Sequence, residues 1–160
     1  MLKIVGAVLV AAAGIFASRL YSGYLVRRCD EGEAFLRLIE HISGEISRYL
    51  TPPAELLKGY SDGVLDSLGF TEIARREGVS AAFSAVKKKC ALSDEALKIL
   101  EKLFSGFGRD YKSGELARLD ETRAALSRVV TREREELSKN LKLGRVLIGA
   151  VALGAIILLL

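Results

Sequence analysis

A chain of 160 residues, half of them hydrophobic, with a net charge of +4, one histidine and two cysteines, has room for one small domain. The mild charge argues against the basic footprint of a nucleic-acid binder. Cys29 and Cys90 stand far apart and His41 is alone, so no metal or redox spacing can be assembled from them.

The hydrophobic residues gather at the two ends. Ile4 to Ser18 carries no charge, and neither does Val146 to Leu160. A bilayer core takes about 20 helical residues, and each run falls a few short. Lys3, Arg19, Lys142 and Arg145 can snorkel to the headgroups, while Leu20, Tyr21 and Tyr24, or Leu141 and Leu143, supply the missing length. The sequence therefore predicts an N-terminal transmembrane helix with its basic flank over 1–28 and a C-terminal transmembrane helix over 141–160. A cleavable signal peptide is the rival reading of the first run, with small residues near Ala17 and Ser18. The tyrosines and arginines of RLYSGYLVRR suit an interfacial belt and favour the anchor. Arg19, Arg27 and Arg28 follow the first run, and Lys139, Lys142 and Arg145 precede the second. The positive-inside rule then expects residues 29–140 in the cytoplasm.

Between the ends, apolar residues recur at helical spacing and nowhere alternate as a strand would. Phe35, Leu38, Ile39, Ile42, Ile46 and Tyr49 form one stripe, and Asp30 with Glu33 are spaced as a capping box at its start. The two prolines of the chain, Pro52 and Pro53, follow Thr51. Proline lacks an amide donor but suits a first helical turn, so Thr51 is expected to cap a second helix carrying Leu56, Leu57, Tyr60, Val64 and Leu65. The stretch from Gly69 to Gly78 reads as a looser connection, and Ala81 to Cys90 as a short helix. Ser93 is expected to cap the next helix, with Asp94 and Glu95 complementing its dipole and Leu97, Leu100, Leu103 and Phe104 facing inward. GFGRDYKSG breaks it. Ser113 is expected to cap a long last helix striped by Leu116, Leu119, Leu126 and Val130. TREREELSKN reads as a solvated stalk, with Arg132 and Glu136, and Glu135 and Lys139, at pairing distance. RRCDEGE reads as its counterpart on the first anchor. The fold class is thus all-α, an antiparallel helical bundle held between two transmembrane helices.

Little here suggests catalysis. GRDYKSG lacks the glycine that the phosphate-binding pattern requires before its lysine, where Tyr111 stands. His41 lies toward the polar edge of its helix and reads as solvent-facing. The lysines from Lys87 to Lys89 read as a solvated face, with contact to anionic lipid or an acidic partner as the alternative. No catalytic, cofactor or metal residue is assigned, and an enzyme is not expected.

Taken in order, the MLK opening, Glu45, Ile46, Thr51 and Pro52 as an EI, four residues, TP corner, the FGRD stretch with Gly108 and Asp110, and the leucine-rich end after Leu143 and Gly144 resemble the stage III sporulation protein AB family. Two features depart from that pattern: Pro53 stands where leucine is common, and the chain has no glutamine where one is expected after the aspartate. The resemblance implies a component of the mother-cell membrane around the forespore, within a secretion-like channel complex, comparable to the platform protein of type II secretion. It also implies the stage III sporulation protein AA ATPase and the other channel subunits as partners. Glu45, Ile46, Thr51, Pro52, Gly108 and Asp110 become the candidate partner-binding residues. Membrane lipid is the other expected contact, nucleic acid is not, and self-association is compatible with this picture. The alternative is a two-anchor membrane sensor or regulatory adaptor, which also needs only a helical domain and a partner.

Overall fold

The computed structural model describes the backbone of residues 2–49, 55–108 and 112–159, with side chains at 12, 14, 16, 19–48, 55–108 and 113–142. In chain order the helices are α1 (Leu2–Tyr49), α2 (Gly63–Ser67), α3 (Phe70–Glu77), α4 (Val79–Val86), α5 (Asp94–Ser105) and α6 (Lys112–Leu159). The described regular structure is all helical. Two compact units divide the chain, one of Arg27–Arg132 and the other of Met1–Val26 with Glu133–Leu160.

The first unit is built around the stripe on α1. Ala34, Phe35, Leu38, Ile39 and Ile42 are wholly buried. Phe35 lies at the centre, its ring edge-on to Phe70 of α3 at 5.5 Å and Phe83 of α4 at 5.8 Å, and tilted against Phe104 of α5 at 6.3 Å. Aromatic pairs at these spacings gain from edge-to-face electrostatics beyond the area they bury. Leu119, Leu126, Val129 and Val130 bring α6 to the same core.

Two contacts fix the register of α1 against α6. A Cβ on Gly32 would meet Val130 Cγ2 at 2.6 Å, so the helices touch where only glycine fits. Farther along, Arg123 Nη2 pairs with Glu40 Oε1 at 2.9 Å. Partner numbers fall on α6 as they rise on α1, so the two helices run antiparallel. The same holds for α5 and α6, where Glu95 pairs with Arg132, Lys102 Nζ approaches Glu121 Oε1 at 3.9 Å, and Gly106 O accepts from Arg118 Nη2 at 2.7 Å.

Several sequence expectations are corrected. No helix begins at Asp30, because α1 is already helical from Leu2; Asp30 is exposed mid-helix, and its spacing to Glu33 caps nothing. The RRCDEGE segment is no stalk: Cys29 and Glu31 are buried and Gly32 is jammed against Val130. The expected helix start at Thr51, Pro52 and Pro53 lies outside the described residues; among those described, Glu55 to Gly59 form turns and the next helix starts at Gly63, where the Asp62 carboxylate accepts from the amides of Val64 and Leu65. Helix formation waits for that cap. Gly69 to Gly78 is no loose connection but encloses α3. Both glycines take positive φ at its ends, so they punctuate a helix rather than dissolve one. The following helix starts earlier than expected and spans Val79–Val86. Ser93 caps α5 as expected, its hydroxyl accepting from Ala96 N. Ser113 instead lies within the first turn of α6. TREREELSKN is exposed along most of its length, as a solvated helix should be, but Glu133 is buried and Arg132 reaches Glu95.

The second unit leaves Phe16, Leu20, Tyr21, Tyr24, Val26 and Leu141 exposed. Among the described residues no helix is long and apolar enough to cross a membrane. Most side chains of the two apolar ends lie outside the described residues.

Candidate partner-binding end of the helical unit

The antiparallel register decides where the candidate residues fall. Each step along α1 is answered by a step back along α6, so Glu45, five residues beyond Glu40, lies level with Arg118, five before Arg123. Glu45 and Ile46 occupy the last turn of α1, and Gly108 precedes the first turn of α6. All three therefore sit at one end of the unit. Thr51, Pro52 and Asp110 lie outside the described residues.

The three are not equally available. Ile46 is half-buried and packs against the core, so part of the EI pair is spent on folding. Glu45 is half-buried. Gly108 is exposed with φ 80°, a conformation that strains any residue with a Cβ, and its amide donates to Glu115 Oε1 at 3.0 Å.

That hydrogen bond leads to residues the sequence reading passed over. Glu115 is buried, and its Oε1 also accepts from Arg118 Nη2 at 2.5 Å. Because Arg118 Nη2 holds Gly106 O as well, one ion pair in the first turns of α6 clamps both glycines of the turn. A Cβ on Gly106 would meet Arg118 Nη1 at 2.5 Å, so a larger residue there would displace the end of the guanidinium from the Gly106 carbonyl. The i,i+3 spacing of Glu115 and Arg118 was the available signal.

The segment after the corner is clamped in the same way. His41, expected to face solvent, is half-buried: its Nε2 donates to Leu56 O at 2.9 Å and its ring lies 4.6 Å from that of Tyr60. A carbonyl can only accept, so Nε2 carries the proton. Arg75 of α3 donates to the carbonyls of Leu57 and Tyr60, and Arg37 of α1 pairs with Asp62 at 2.7 Å. Burial and the nearby Asp62 push the Tyr60 hydroxyl up to about 12. Hydrogen bonds from Ser61 and Thr71 hold the Asp66 carboxyl below its ordinary range.

At the opposite end, Cys90 lies between two residues held to α1, and burial together with the Glu31 carboxylate pushes its thiol up to about 12 from an ordinary 9.0. The unfolded chain then releases this proton before the folded one does. The associated stability is complete below about pH 9 and lost as pH climbs toward about 12. In Cys90→Ala the alkaline decline of the denaturant midpoint should begin near pH 10, where Tyr60 takes over, and an onset identical to the parent chain would contradict the assignment.

Chemically this end offers fixed backbone, glycines and paired charges. Among the described residues no cluster of histidine, cysteine or carboxylates could hold a metal ion. Shallow hollows line Glu55, Lys58, Gly59 and Arg75, and Ile99, Lys102, Arg118 and Thr122. The arrangement suits recognition by a protein surface.

A family model described as stage III sporulation protein AB matches residues 3–160. No curated protein and no solved structure is detectably similar to the chain.

Proposed function

The chain belongs to the stage III sporulation protein AB family, and from that premise we propose that it is a doubly anchored membrane scaffold of the channel between mother cell and forespore. The uncharged ends, Ile4 to Ser18 and Val146 to Leu160, are taken as its anchors in the mother-cell membrane around the forespore. The helical unit faces the cytoplasm and works through protein contacts, without catalytic chemistry of its own.

One observation carries this reading: Glu45 and Gly108, from motifs far apart in sequence, fall at the same end of the unit, away from where the chain enters at Arg27 and leaves at Arg132. Rigid turns on a stiff helical scaffold are the usual place for recognition. We assign this end to the stage III sporulation protein AA ATPase, with the other channel subunits meeting the chain in the membrane. Glu45→Ala and Asp110→Ala should each reduce ATPase recovery on co-purification about tenfold, the scale of one lost charge-assisted contact. Both should keep the parent's helical content and melting behaviour. Full recovery from a folded double variant would remove this end from consideration.

A further inference from the structure

We draw no further inference here: the strongest candidate, the exposed face of α6 along which Ser113, Ala117, Asp120, Ala124, Ser127 and Thr131 recur every three or four residues, is a stripe of small side chains, and nothing in the structure shows what covers it.

Discussion

Replacing Phe35 by alanine should cost the Arg27–Arg132 unit about 3–5 kcal/mol, the range for deleting a fully buried ring. Its neighbours come from three separate helices, with Phe70 on α3, Phe83 on α4 and Phe104 on α5. None can follow the missing ring inward without leaving its own contacts, so the cavity should persist rather than collapse. Domains of this size are stable by only about 5–15 kcal/mol, and the loss would take a large share of that. Cys29, buried on the same helix, is a convenient reporter. Pulsed alkylation of the detergent-solubilised chain, read at Cys29 by mass spectrometry, should accelerate by about 10²–10³-fold or more in Phe35→Ala. Phe35→Leu, which keeps most of the volume, should lose on the order of 1.5 kcal/mol. An alkylation rate in Phe35→Ala equal to the parent's would mean that the four rings are not the centre of the fold.

That centre was legible beforehand because it rests on periodicity. Phe35, Leu38, Ile39 and Ile42 announce a buried face at a spacing no other backbone produces, and all four are fully buried. Ser93 was legible for a local reason, since a hydroxyl one residue before an acidic first turn has a backbone donor to satisfy. Asp30 and Glu33 offered a similar pattern and misled. A capping signature only acts where the chain is otherwise free to begin a helix, and here α1 had begun at Leu2. Gly69 and Gly78 misled in the opposite sense. Their freedom at positive φ was read as looseness over the whole interval, whereas it lets the chain stop and restart around a helix whose Phe70, Thr71 and Ala74 are buried.

The candidate site was legible as residues but not as a place. Nothing in the spacing of Glu45 and Gly108 says that they share an end of the unit; that follows from Gly32 meeting Val130 and Glu40 meeting Arg123, contacts between positions far apart in the chain. The buried acids were missed for a related reason. Glu31 and Glu115 look like surface residues in sequence, and their burial depends on cations and amides supplied by other turns, Arg27 and the Ala91 amide for the first, Arg118 and the Gly108 amide for the second. His41 was assigned to solvent because it flanks the stripe. The carbonyl it serves, Leu56 O, arrives only once the chain has folded back along α1.

The clamp on the glycine turn carries the second large effect. Arg118→Met keeps the stem of the side chain but removes the guanidinium paired with Glu115, a carboxylate only 5 % exposed. Breaking a buried pair from one side costs about 3–5 kcal/mol; because the Arg118 side chain is 23 % exposed, about 2–4 kcal/mol is expected here. Glu115→Gln leaves an acceptor for the Gly108 amide and should cost less, about 1–2 kcal/mol. The double replacement should therefore be more stable than the sum of its parts, since both single changes break the same pair. Hydrogen exchange at the Gly108 amide reads the clamp directly and should quicken most in Arg118→Met. Strict additivity of the two substitutions, or unchanged exchange at Gly108, would show that the turn holds its shape without the pair. In that event the positive φ of Gly108 would stand as the whole reason for glycine there, and Glu115 and Arg118 would belong to the packing of α6 alone.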